Sequence, residues 1–177
     1  MVVYKKVETT QELNQIIALQ KKNLFNGLTL EEREKEGFVS VTHSLVILER
    51  MNTKCAHTIA VHNNIVIGFA LSMHPMFAMD IELLKPMFVE IEKNLPRGQS
   101  YITMGQICID KTYRGQGIFR KLYVTMKKRV LSKFDVIVTE VDASNTRSLN
   151  AHYAVGFSDL TTYISNGQTW KLIVLHN

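Results

Sequence analysis

YRGQGIFRKL, residues 113–122, is the stretch on which the reading of this chain turns. Gly115 and Gly117 stand one residue apart, between a β-rich run (YITMGQICID, 101–110) and a run with helical spacing (IFRKLYVTMKKRVL, 118–131). In the second run Ile118, Phe119, Leu122, Tyr123, Met126 and Val130 recur every three or four residues, which predicts an amphipathic helix of about four turns. The first N–H groups of such a helix have no internal partner and point out of its end. With the helix dipole they form a place for an anion, phosphate above all. Glycines there admit positive φ and leave room for backbone N–H groups to approach phosphate oxygens. Arg114, Arg120 and Lys121 are expected to add charge-assisted hydrogen bonds. An ordinary strand-to-helix turn that uses glycine for its geometry is the alternative.

Two phosphate motifs are excluded. The G-x-x-x-x-G-K-[ST] loop is absent, and a G-x-G-x-x-G fingerprint starting at Gly115 would need glycine where Arg120 stands. Downstream, DVIVTEV (135–141) is nearly all apolar, as expected of a strand buried on both faces. NTRSLNAHYAV (145–155) then reads as a helix with Asn145 at its cap and Gly156 at its end.

The remainder is punctuated clearly. VVYKKV reads as a first strand. Thr9 or Thr10 caps a helix carrying Leu13, Ile16, Ile17 and Leu24. LTLEEREKEG (28–37) reads as a charged helix stopped at Gly37, and THSLVILERMN (42–52) as another. Two β-branched runs around Asn63-Asn64 predict a hairpin, and Asn166-Gly167 predicts a second one between FSDLTTYIS and TWKLIVLH. Pro86 interrupts the helical spacing of DIELLKPMFVEIEKNL and implies a kink or a break into two pieces. The order of elements predicts an α/β (mixed α+β) domain on a mixed sheet.

At 177 residues the chain is read as one domain, 1–177. Apolar residues make up 46% and charged residues 21%, an ordinary balance for a globular protein. The first residues lack the apolar stretch of a secretory signal, and no run approaches the ~18 apolar residues of a membrane helix. Cys55 and Cys108 match no zinc or redox spacing. A cytoplasmic protein with reduced thiols, no metal and no membrane partner is the expectation. The net charge is +5, and from Lys111 to Lys133 eight basic residues occur without an acidic one. That stripe suits either a nucleic-acid face or a solvated helix whose basic end complements its dipole; without interleaved aromatics, no nucleic-acid partner is expected.

R-G-Q-G-I-F (114–119) resembles the acyl-CoA pyrophosphate signature of the GNAT superfamily of N-acetyltransferases, [QR]-x-x-G-x-[GA]. The segment from Val141 to Phe157, with Asn145, Tyr153 and Gly156-Phe157, resembles that family's second motif. Arg114 and Asn145 are 31 positions apart, room for the helix and strand between them. The chain departs from the signature at Phe119. The resemblance implies a central, mostly antiparallel sheet of about six to seven strands flanked by helices and splayed at the acyl-CoA site. It implies acetyl-CoA as co-substrate, held by Arg114, Gly115, Gln116, Gly117, Ile118, Phe119 and Arg120. Backbone groups of Ile107, Cys108 and Ile109 would take the pantetheine arm, with Asn145 and Ser148 beside it.

On the same resemblance Tyr153 is the expected general acid. A phenol can protonate a departing thiolate; a buried aromatic with a satisfied hydroxyl is the structural alternative. No Asp, Glu or His stands on 101–109 to serve as base, and Gln106 can only orient a water. Glu140 and Asp142, on one face of their strand, are the candidates, with His43, His74 and Asp80 on the acceptor side. MHPMFAM (73–79) could line an acceptor pocket or fill the core. The implied activity is acetyl transfer to a small-molecule or protein amine; a non-catalytic acyl-CoA-binding module is the alternative, and a homodimer stays open.

Overall fold

The computed structural model describes residues 1–24, 39 and 42–176. The charged segment read as a helix over 28–37, with Gly37 as its stop, lies outside the described residues. Seven strands join one sheet in the order β1-β2-β3-β4-β5-β7-β6: β1 Val3–Lys6, β2 Thr58–His62, β3 Ile65–Met73, β4 Tyr101–Ile109, β5 Val136–Asp142, β6 Ser158–Ser165 and β7 Gln168–His176. Among these seven strands only the β4–β5 pair is parallel. The described α-helices are α1 Thr10–Lys22, α2 Leu45–Lys54, α3 Lys85–Asn94, α4 Ile118–Val130 and α5 Thr146–Val155.

Local chemistry accounts for the boundaries. Thr9 and Glu12 form a reciprocal capping box at α1. Asn63, Asn64, Asn166 and Gly167 all take positive φ, as two-residue hairpin turns require. Pro86 does break its segment: a 3-10 turn over Glu82–Leu84 precedes α3, and the proline occupies the first turn of that helix, where its missing N–H costs nothing.

Strand alternation divides the core between the sheet's two faces. On one face Ile16 of α1, Leu48 and Met51 of α2 and Ile91 of α3 pack on Phe69, Leu71, Val136, Val138, Leu172 and Val174. On the other, Leu122, Tyr123 and Met126 of α4 and Leu149 of α5 pack on Ile102, Met104, Ile137, Ile173 and Leu175.

Strand β4 is irregular against both of its neighbours. Against β3, Leu71 pairs with Gln106 and Ser72 with Met104, which leaves Gly105 as an extra residue. One extra residue exchanges the faces: Ile102 and Met104 share the α4 side with Ile107 and Ile109, while Cys108 faces the α1 side. Against β5, pairing runs only from Tyr101↔Val136 to Thr103↔Val138, although both strands continue. The Thr139 hydroxyl donates to the Met104 carbonyl at 2.8 Å just where the ladder stops. Beyond that bond the strands part.

Candidate active site

The gap between β4 and β5 opens into a cleft of about 320 Å³ lined by Ile107, Cys108, Ile109, Arg114, Gly115, Gly117, Ile118, Phe119, Asn145, Arg147 and Ser148 among others. A second cavity occupies the split itself, between Met104–Ile107 and Thr139–Asp142, and shares Val39, Ile107, Asn145 and Ser148 with the first. Together they run from the start of α4 to the α1–α3 face of the sheet.

Gly117 is the N-cap of α4, at φ +74°, with no side chain capping the helix. Gly115 lies at φ +73°, and a Cβ at either position would meet nothing within 4 Å. Protein packing therefore does not demand glycine here; the left-handed backbone does, and the space above the turn stays open. The first helical bond runs from Lys121 N–H to Gly117 O at 3.2 Å, so the N–H groups of Ile118, Phe119 and Arg120 precede the ladder.

The flanking side chains behave differently from the expectation. Arg114 lines the cleft, but its Nε donates to Ile109 O at 3.1 Å and its guanidinium to Asn23 Oδ1 at 2.7 Å, tying the end of β4 to the end of α1. Arg120 turns away and donates to Ala154 O at 2.6 Å, where the C-terminal turn of α5 has unpaired carbonyls. Lys121 lies over the Tyr4 ring. Gln116 is exposed, reaches back to Thr112 O and does not line the cleft. The open turn is thus bordered by backbone N–H groups more than by cations. Phe119, the departure from the family signature, packs edge-on against His152 at 5.0 Å and tilted on Tyr123 at 5.3 Å between centroids, which leaves its backbone N–H in the first turn.

Of the expected pantetheine groups, β4 offers alternate residues. Asp110 N–H donates to Ile67 O at 2.8 Å, so in this antiparallel pair Cys108 bonds toward β3 while Ile107 and Ile109 face the split. The Ile109 carbonyl is already taken by Arg114. Cys108 contributes packing; burial pushes its thiol up to about 12, which keeps it protonated and unreactive. Asn145 caps α5 by accepting from Ser148 N–H at 3.2 Å, and both residues line the cleft.

Tyr153 is not brought to the site. It is 38% exposed, its hydroxyl donates to Asp159 Oδ1 at 2.6 Å, and it lines neither cavity. The cause is helical period. From Ser148 on the cleft face, four residues bring the chain nearly back to that face at His152; a fifth carries Tyr153 away. His152 lines the split, buried, with Nδ1 donating to Ser148 O at 2.7 Å and Nε2 unpartnered. Burial lowers its pKa to about 4, so it is neutral at physiological pH. The i, i+4 spacing from Ser148 was the available signal for this residue.

Glu140 sits in the split. Burial raises its carboxyl to about 7, opposed by a hydrogen bond from the Tyr163 hydroxyl. Asp142 also lines the cavity, but its Oδ1 accepts both the N–H (2.8 Å) and the hydroxyl (2.6 Å) of Ser144, closing the turn into α5. His43 lines the split as well, whereas His74 caps a 3-10 turn and Asp80 pairs with Arg50, away from it. The 73–79 segment goes to the core through Met73 and Phe77 and to the surface through Met76 and Met79. Leu83, Leu84 and Trp170, which the sequence did not single out, supply the apolar wall. Among the described residues, no group of three or more His, Cys, Asp or Glu could hold a metal ion, and no helix is long and apolar enough to cross a membrane.

The model of the acetyltransferase (GNAT) family matches residues 22–157. N-alpha-acetyltransferase 30 of Saccharomyces cerevisiae is 30% identical over 76 residues, 40% of this chain and 43% of that protein, so the match spans less than half of the relative. The NatC complex bound to a Gag peptide and CoA superposes with a TM-score of 0.68 at 20% identity, over 99% of this chain and 98% of that one. Arabidopsis thaliana Naa50 in complex with the bisubstrate analogue CoA-Ac-MVNAL does so at 0.65 and 15%, over 99% of each chain. At such identities these two structures speak for the fold, a seven-stranded, mostly antiparallel sheet that opens between β4 and β5. With the family's model spanning both the glycine turn and the α5 motif, the chain belongs to the GNAT family of acetyltransferases.

Proposed function

We propose that the protein transfers the acetyl group of acetyl-CoA to a primary amine by direct attack within a ternary complex. One observation carries the reading: an uncapped, glycine-opened helix start and a buried carboxylate of raised pKa line two adjoining cavities that share Val39, Ile107, Asn145 and Ser148. The residues fit the co-substrate. The left-handed turn at Gly115 and Gly117 leaves open space before the N–H groups of α4, which suits a diphosphate. Ile107 N–H and C=O lie along the unpaired edge of β4, where an extended amide-bearing arm can bond as an added strand. Acetyl-CoA supplies an activated acyl group with a thiolate as leaving group.

The chain's own residues do the rest. An ammonium must lose a proton before it attacks, and Glu140, half ionised near pH 7, is matched to take it directly or through a water. Tyr163 holds the carboxylate in place. As the C–N bond forms and the C–S bond breaks, the nitrogen gives up a second proton, which the departing sulfur can receive. The N–H of Ile107 faces the split and can hold the developing oxyanion. Tyr153 has no part in this. With Glu140 in the split, the missing acid on β4 no longer favours a module that only binds acyl-CoA. Thiol release from acetyl-CoA across a panel of amines tests the proposal: amine-dependent release is expected, and its absence with every amine contradicts it.

A further inference from the structure

At the end of the sheet away from the cleft, a cavity of about 820 Å³ lies between the end of β1, the C-terminus of α2, His74 after β3 and the C-terminus of α4. It shares no lining residue with the two cavities described above. In the β3–β4 ladder, Gly68↔Ile109 marks the cleft end and Met73↔Thr103 the other. Helix α4 runs the whole way, from Gly117 at the cleft to Arg129 and Val130 at this cavity.

Four cations from separate parts of the chain line it: Lys6 of β1, Lys54 of α2, Arg129 in the last turn of α4 and Lys133 just after it. Among the described residues none of the four makes an ion pair. The one carboxylate in the described lining, Glu8, accepts from Lys5 at 2.9 Å. The dipole of α4 does not account for the cluster. The last carbonyls of that helix are already met: Lys127 O by Leu131 N–H, Arg129 O by the Ser132 hydroxyl, and Val130 O by the N–H groups of Lys133 and Phe134. Arg129 instead reaches across to α2 and β2, where its Nη2 donates to Ala56 O and, at 2.8 Å, to Thr58 Oγ1. Those two bonds fix a half-buried guanidinium and leave its Nε and Nη1 hydrogens without a partner among the described residues. Like charges gathered without counter-ions repel one another, so an anion is the favoured occupant.

We propose that this cavity binds the phosphate or diphosphate group of a small molecule, at a site separate from the acyl-CoA cleft. The anchored guanidinium offers its remaining hydrogens in a fixed orientation, and three lysines supply mobile point charges around it. Four cations against one carboxylate leave a surplus that calls for several negative charges at one place. A phosphoryl group carries about −1.5 to −2 near neutral pH, more than a single carboxylate supplies. The half-buried ring of Phe134, edge-on to His74 at 5.8 Å between centroids, gives the rest of the molecule an apolar wall, and the volume leaves room for it. The inference does not depend on acetyl transfer, because it uses no residue of the cleft.

The test uses the full chain in metal-free buffer, with inorganic pyrophosphate as the probe. Calorimetry gives its affinity, and mass spectrometry gives the rate at which iodoacetamide alkylates Cys55, a half-buried thiol in the lining of this cavity. Saturating pyrophosphate is expected to slow that alkylation by about fivefold or more, while sodium chloride at equal ionic strength does not. In the double variant Lys54→Gln/Lys133→Gln, at two exposed positions, the concentration needed for protection rises by about tenfold or more. Gly117→Val, which alters the turn at the cleft, leaves protection of Cys55 unchanged. Alkylation that pyrophosphate does not slow, or protection that sodium chloride matches, overturns the inference. So does protection that survives in the double variant or is lost in Gly117→Val. Duplex DNA binding through the same lysines, with no binding of pyrophosphate, overturns it in favour of a nucleic-acid face.

Discussion

The Tyr163 hydroxyl donates to Glu140 Oε2 from across the sheet, β6 reaching over β7 to β5. Burial pushes the carboxyl up, and this bond favours the ionised form. The two effects together hold the group near neutrality, where a base for an ammonium is most useful.

Glu140→Gln is therefore expected to lower kcat by roughly 10²–10⁴-fold while acetyl-CoA affinity stays within about twofold. Asp142→Ala tests the other carboxylate of this strand. Because Asp142 is committed to Ser144, its loss should appear as about 1–3 kcal/mol of stability and much less in turnover. Steady-state kinetics and denaturant melts on the two variants separate the roles.

The pH dependence has a definite sign. Glu140 must be ionised to accept a proton, so kcat/KM should rise with pH through about 7. Tyr163→Phe removes the bond that favours the carboxylate and should move this limb to higher pH. Stability runs the opposite way. A folded-state pKa above the unfolded one means the native state binds the extra proton, so this contribution is present below about 4.5 and is lost as pH rises through about 7. Glu140→Gln should flatten that loss, and melting temperatures at pH 5 and pH 8 would reveal it.

Tyr153→Phe should leave kcat within about twofold, since its hydroxyl is held by Asp159 on the protein surface. A drop of a hundredfold would place the phenol in the chemistry despite that geometry. His152, which lines the split and whose buried Nε2 has no partner, is the residue of α5 whose replacement should change kcat.

Much of the fold was legible. Asn63-Asn64 and Asn166-Gly167 announced both hairpins because few residues tolerate positive φ, and Thr9, Asn145 and Gly156 marked helix ends by their capping chemistry. The α4 stripe was readable from its spacing alone. What the sequence concealed depends on non-local geometry. The early parting of β4 and β5 requires knowing that Thr139 reaches Met104, although Gly105 inside a strand was a sign of the bulge beside it. Arg120 looks like a phosphate ligand until α5 supplies Ala154 O. The site itself was half visible. That Glu140 and Asp142 share one face followed from alternation along β5, while placing Tyr153 in the cleft ignored the 100° step that separates it from His152. His43 and Gln20 meet only after folding, from positions 23 residues apart.

Titration calorimetry with CoA and with pantetheine, on the wild type and on Gly117→Val, tests the central claim most directly. Gly117 holds φ +74°, a conformation that a β-branched residue disfavours by about 1–2 kcal/mol, and the added side chain would stand before the diphosphate. The variant is expected to bind CoA at least tenfold more weakly than the wild type while pantetheine, which lacks the diphosphate, binds both alike. Equal CoA affinity in the two proteins, or no CoA binding by the wild type, would contradict it.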